Sequence, residues 1–177
     1  MAREKTLHRE KLSGVFAPIT TPFDENGEVS YEALELNIKK LNSSHLRGYL
    51  VLGTNGEFKS LSESECRKVL ETVIKVSGKD KVVMAGTGRE STKESIAATK
   101  EAASIGTHFA SLIAPSFFAK KMTDPVLLNH FRVVADASSI PVLLYNNPEV
   151  AVVTYSTSLI GEIAKHSNIV GMKDTSK

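Results

Sequence analysis

Residues 168–176 read NIVGMKDTS, and the change of character in the middle of this stretch decides the fold. An apolar run, 168–172, gives way to a lysine, Lys173, followed by an acid and two hydroxyl residues. Alone, this is either a solvated strand end or a strand that delivers an amine into a site. The rest of the chain repeats the pattern. Short apolar, β-branched-rich runs bounded by Gly, Pro, Asn or Thr recur at 14–19, 48–52, 81–85, 108–114, 140–145 and 168–172, and each is expected to be a strand.

Between the runs lie amphipathic segments with start signals. Ser62 with Glu65 and Ser91 with Glu94 have capping-box spacing, and Thr123-Asp124-Pro125 places a cap before a first-turn proline. Helices are expected over 31–41, 63–76, 92–105, 125–137 and 157–165. Strand starts recur every 27 to 34 residues, the length of one βα unit. Near-continuous apolar strands at that spacing belong to a parallel sheet covered by helices, so the fold class is α/β. No low-complexity linker interrupts the chain, and a single domain over residues 1–177 is expected. An open doubly wound sheet and a (β/α)8 barrel of about 250 residues compete, and six units fit neither count comfortably.

Composition narrows the function classes. With 41% hydrophobic and 24% charged residues, the 177-residue chain reads as an ordinary globular protein. A net charge of +2, dispersed basic residues and 6% aromatics supply no basic stripe for nucleic acid. The opening MAREKTLHREKL has no apolar core of signal-peptide length, and no run approaches the roughly 18 apolar residues of a membrane span, so a cytoplasmic location is expected. Cys66, the single cysteine, reads as a structural thiol. His8, His45, His108, His130 and His166 are scattered without a paired-ligand spacing, so no metal is expected; His108 opens an apolar run and reads as a satisfied core histidine. GTGRES at 86–91 lacks the ending of a phosphate loop and the third glycine of a dinucleotide fingerprint, and reads as a strand-to-helix turn.

Five strand ends carry polar or turn-forming residues on the same side: APITTPFDENG, VLGTNGEF, AGTGREST, LLYNNPEV and GMKDTS. They bring a phenol (Tyr145), an amine (Lys173), and a hydroxyl and an amide beside glycine (Thr54, Asn55, Gly56). These types suit a site that forms a Schiff base, moves a proton and holds a carboxylate. A nucleophilic lysine needs its pKa lowered from about 10.4, which burial in a barrel mouth achieves by disfavouring the ammonium.

GYLVLGTNGE at 48–57, YNNP at 145–148 and GMKDTS at 171–176 resemble the signatures of the dihydrodipicolinate synthase and N-acetylneuraminate lyase family. The similarity runs from about Lys11 onward, with APITTPF at 17–23 and 28 residues between Tyr145 and Lys173. The resemblance implies a (β/α)8 barrel and a class I lyase without metal or organic cofactor. Lys173 would form an imine with pyruvate or another 2-oxo acid, and Tyr145 would transfer protons. Thr54, Asn55 and Gly56 would form the carboxylate-binding loop, with the Thr54 hydroxyl close to Tyr145. The partners implied are the 2-oxo acid and an aldehyde or its aldol adduct, in a homo-oligomer.

The chain departs from the family pattern in four ways. Val150 stands where the synthase branch has a carboxylate-binding arginine, which turns the expectation toward aldolases of 4-hydroxy-2-oxoglutarate or deoxy-keto-sugar acids, with dihydrodipicolinate synthase as the alternative. Phe117 and Phe118 replace a tyrosine pair that completes a proton relay across a subunit interface. Ala151-Val152 stands where Thr-Gly is usual. Two further βα units follow the lysine strand in the family; on that reading strands 1 and 6 have unpaired edges, Lys173 is four residues from an open terminus, and the isolated chain is a poor catalyst or a non-catalytic fragment of a barrel.

Overall fold

The computed structural model describes residues 7, 8 and 10–176. The reading of the opening stretch falls partly on residues 1–6 and 9, outside the described residues, as is Lys177. The chain divides into two compact units, one built from residues up to 86 with 104–108, the other from 87–103 with residues from 109 onward.

In the first unit, β1 (Phe16–Pro18), β2 (Gly48–Val51) and β3 (Val82–Gly86) are parallel and hydrogen-bonded in that order, with Phe16 opposite Gly48 and Gly48 opposite Val82. Gly48 is required there, because a Cβ would come within 1.8 Å of the Val82 carbonyl oxygen. α1 (Tyr31–Asn42) starts at Ser30, whose hydroxyl accepts from the Ala33 N–H. α2 (Glu63–Val76) opens on the expected capping box, Ser62 and Glu65 each accepting from the other's backbone. Its buried residues Cys66, Val69, Leu70 and Val73 follow the i, i+3, i+4, i+7 spacing of one helix face. Cys66 is thus a core thiol.

The second unit orders β4 (Phe109–Ile113), β5 (Val142–Asn146) and β6 (Ile169–Asp174), again parallel. Every residue of β4 and β5 is buried, as expected of strands covered on both faces. The helices are α3 (Thr92–Ile105, whose last residues belong to the first unit), α4 (Asp124–Ala137), a one-turn α5 (Pro148–Ala151) and α6 (Thr157–Ile163). α4 buries Leu127, Phe131 and Val134, with the Phe131 ring edge-to-face on Tyr155 at 5.6 Å.

Three expectations need correction or completion, and one element carried no expectation. Thr123 sits at the N-cap of α4 but makes no side-chain cap hydrogen bond; Pro125 and the Ser156 hydroxyl on the Asp124 carboxylate accompany that start instead. The last helix ends at Ile163 and not at 165. The turn α5 had no sequence expectation at all. Most consequentially, β6 does not stop before Lys173: it runs through Lys173 to Asp174.

Candidate active site

The position of Lys173 follows from a bulge. Val142 pairs with Ile169, but the next residue, Leu143, pairs with Gly171, so Val170 is an extra residue on β6. Because side chains alternate faces with a period of two, one inserted residue moves everything after it to the other face. Lys173 therefore lies opposite Tyr145, and Asp174 opposite Asn146. Without the bulge Lys173 would pair with Asn146 and leave Tyr145's face. Gly171 marks the place, since a Cβ there would come within 3.0 Å of the Leu143 side chain.

The residues after Lys173 lock that register. Asp174 accepts from the Asn146 amide at 2.9 Å, and the Thr175 N–H and hydroxyl both donate to the Asn146 carbonyl, at 3.0 and 3.1 Å. The Ser176 N–H and hydroxyl close the turn on Asp174, and these donors, the backbone N–H first, hold its carboxyl below the usual range. The acid and hydroxyls of KDTS are thus a clasp across β5 and β6, and the lysine is the residue they present.

That presentation brings together two of the expected site residues. The Lys173 amine lies 3.7 Å from the centroid of the Tyr145 ring, and Tyr145 is 6% exposed. Tyr145 is pinned at both ends. Its carbonyl accepts from the Tyr155 hydroxyl at 3.1 Å, which itself accepts from the Ala114 N–H at 3.1 Å, linking the ends of β4 and β5. Burial holds the Tyr155 phenol well above the ordinary tyrosine value, so it stays a donor. At the ring's far end the phenol oxygen accepts from the Asn147 amide at 2.7 Å.

In the first unit, Thr54, Asn55 and Gly56 form a single 3-10 turn directly after β2. Two non-glycine residues with left-handed backbone, Leu52 at φ 57° and Glu57 at φ 53°, bracket it. The Thr21 hydroxyl of the APITTPF stretch donates to the Gly56 carbonyl at 2.7 Å, so two of the sequence motifs are stitched together here. Asn55 is exposed and Thr54 half-buried. Strained backbone at a strand end beside exposed polar groups is a common feature of binding loops.

Asn147 and Tyr155 escaped the sequence reading. Asn147 was legible in principle, since Asn immediately before Pro is a helix-start signal, and it is the N-cap of α5. Tyr155 carries no local signal. Most residues that depart from the family pattern are at the surface: Phe117 and Phe118 form an edge-to-face pair 79% and 65% exposed, and Val150 and Val152 are exposed at α5, whereas Ala151 is buried. The GTGRES segment is a turn, with the Arg89 N–H on the Ser95 hydroxyl and the Glu90 carboxylate accepting from Ser116 and the Phe117 N–H. His108 accepts from the Val83 N–H through Nδ1, and burial first of all pushes its pKa down, as for a neutral structural histidine. Among the described residues no group of three or more His, Cys, Asp or Glu side chains could hold a metal ion, and no helix is long and apolar enough to cross a membrane.

The model of the dihydrodipicolinate synthetase family matches residues 11–177. The chain belongs to that family. A 4-hydroxy-tetrahydrodipicolinate synthase of Exiguobacterium is 35% identical over 165 residues, which are 93% of this chain and 56% of that protein. The dihydrodipicolinate synthase of Acinetobacter baumannii, solved in complex with pyruvate, matches with a TM-score of 0.88 at 33% identity over 92% of this chain and 55% of its own. A sialic acid aldolase of Ruminococcus gnavus, solved as a catalytic lysine mutant, also has a TM-score of 0.88, at 26% identity over 94% of this chain and 54% of its own. The six parallel strands are therefore those of an α/β member of a (β/α)8-barrel family, and the chain spans about half the length of the curated relatives it matches. The curated relatives carry the synthase name, so the comparisons favour the synthase alternative over the aldolase expectation drawn from Val150.

Proposed function

We propose that the chain supplies the imine-forming residues of a pyruvate-dependent class I carbon–carbon lyase, of the 4-hydroxy-tetrahydrodipicolinate synthase type. One observation carries this reading: the Lys173 amine stands over the buried Tyr145 ring, on the same face of adjacent strands. The amine adds to the C2 carbonyl of pyruvate, and loss of water leaves a protonated imine. That cation is an electron sink, so a C3 proton can depart to give an enamine. The enamine carbon then attacks an aldehyde carbonyl, whose oxygen takes up a proton. The Tyr145 phenol is assigned to accept and return these protons. Thr54, Asn55 and Gly56 are assigned to the 2-oxo acid carboxylate, for which a hydroxyl and an amide side chain beside a glycine are chemically suited.

Val150 favours a second reading. A half-exposed valine offers the second substrate neither charge nor hydrogen bond, which suits cleavage of a 4-hydroxy-2-oxo acid better than capture of aspartate semialdehyde. Borohydride reduction in the presence of pyruvate tests the common core. A reduced adduct on Lys173, located by peptide mass, is expected. An unmodified Lys173 with the chain folded would overturn the proposal in favour of a non-catalytic module. Turnover with pyruvate plus aspartate semialdehyde, set against 4-hydroxy-2-oxoglutarate, separates the two readings.

A further inference from the structure

We propose that Asn147 is a positioning residue for the Tyr145 phenol, a role that rests on the imine-forming reading of the site. The Asn147 side chain is engaged at both ends. Its Oδ1 accepts from the Val150 N–H at 3.3 Å, capping α5, and its Nδ2 donates to the Tyr145 phenol oxygen at 2.7 Å. The two contacts orient the amide unambiguously. A backbone N–H can only donate, so the atom facing Val150 must be the oxygen, and the atom facing the phenol must be the nitrogen.

The consequence for Tyr145 is specific. An amide N–H occupies one acceptor position of the phenol oxygen and makes no use of the phenol's own hydrogen. A donated N–H also favours the phenolate, the form that exists after the proton has left. The oxygen is therefore held in one place in both states. Pro148 restricts the backbone just after the amide, and the Tyr155 hydroxyl holds the other end of the tyrosine, so a single geometry is enforced without motion. α5 in this view is less a structural helix than a mount for the amide.

The experiment exploits the fact that Asn, Asp and Ser are nearly equivalent helix caps. Asn147→Ser keeps a cap acceptor but is too short to reach the phenol; Asn147→Asp keeps the size and the cap but cannot donate. Both should stay folded, with stability within about 1 kcal/mol of wild type, the scale of the one lost hydrogen bond. The maximal rate of borohydride-trapped pyruvate adduct should fall roughly tenfold in the serine variant and further in the aspartate variant, with the half-saturating pyruvate concentration unchanged. A second readout is the ionisation of Tyr145, obtained by subtracting the ultraviolet titration of Tyr145→Phe from that of each protein with Tyr145 intact. Lys173, the cation over the ring, is common to all of them, so an upward shift in both Asn147 variants reports the lost N–H. Wild-type trapping rates with an unmoved phenol would overturn the proposal and leave Asn147 as a cap alone. A shifted phenol in a protein whose Lys173 forms no adduct would instead uphold the amide–phenol contact and overturn the functional reading beneath it.

Discussion

Two lysines at strand ends show how differently the same side chain is used. Lys81 directly precedes β3 and is 5% exposed. Its ammonium donates to the Ser44 and Leu46 carbonyls, both at 3.0 Å, and pairs with the Asp80 carboxylate at 3.1 Å. Every donor is spent on holding the α1–β2 connection to the start of β3. Lys173 lies near the C-terminal end of β6, and the contact of its amine among the described residues is the face of the Tyr145 ring. A ring face attracts a cation and withholds nothing from a reacting carbonyl. The difference follows the general division in parallel α/β barrels, where strand starts serve stability and strand ends carry chemistry.

The largest effect should come from exchanging lysine for methionine at each place. Lys173→Met is expected to abolish pyruvate trapping, a loss of at least about 10³-fold, because no other amine replaces the nucleophile. Its stability should stay within about 1 kcal/mol of wild type, the scale of the lost cation–ring contact. Lys81→Met should do the reverse. Two carbonyls lose a charge-assisted donor in a buried setting, at about 2–4 kcal/mol by denaturant unfolding, while the folded protein still traps pyruvate. Two variants with the same phenotype would break the comparison.

A smaller, pH-dependent effect sharpens it, since each unit contains its own histidine with a depressed pKa. Burial lowers His130 in the unit of Lys173; for His108, in the unit of Lys81, burial is the leading cause, followed by the nearby charge of Lys11. Both are neutral when folded and take up a proton more readily when unfolded. Their contribution to stability is intact above pH 6.5, the ordinary histidine value, and is lost as pH falls from there toward the folded pKa. His130→Gln should flatten the acid-side decline more than His108→Gln, because His130 is 4% exposed and His108 only half-buried. Chemical denaturation between pH 7 and pH 5 measures both slopes, and equal slopes in wild type and variants would refute the assignment.

The elements of both regions were largely legible in the residues. Apolar runs placed all six strands, and the Ser62–Glu65 pair placed the start of α2, because these signals are local. Lys173 and Tyr145 were legible as a pair through the spacing of their motifs. What a linear reading could not supply was why they meet. The extra residue at Val170 has no compositional mark beyond the glycine that follows, and it decides which face Lys173 occupies. Tyr155 and Asn147 act through contacts to the ends of β4 and β5, which depend on strand pairing and not on neighbours in sequence. Thr123 failed as a side-chain cap for the converse reason: the local signal was present, and the hydroxyl formed no bond to the first turn.

The smallest effect falls on the mount of the site. Val152 ends α5 with φ 54° and ψ 26°, a left-handed conformation that crowds a β-branched side chain. It stands where the family resemblance has glycine, the residue that adopts this backbone freely. The side chain is 72% exposed, so its removal sacrifices little packing. Val152→Gly should relieve about 1–2 kcal/mol of left-handed strain and return about 0.5–1 kcal/mol as added freedom of the unfolded chain. The net expectation is a stabilisation of about 0.5–1 kcal/mol in denaturant unfolding. Val152→Ala, which keeps a Cβ, should recover little of it. If strain at this residue also presses the Asn147 amide onto the phenol, the glycine variant will be more stable yet slower in pyruvate trapping, whereas Lys81→Met loses stability and keeps trapping. A glycine variant less stable than wild type would show that the surroundings of Val152 already compensate its backbone, and that the mount of the site is held as firmly as the clamp at Lys81.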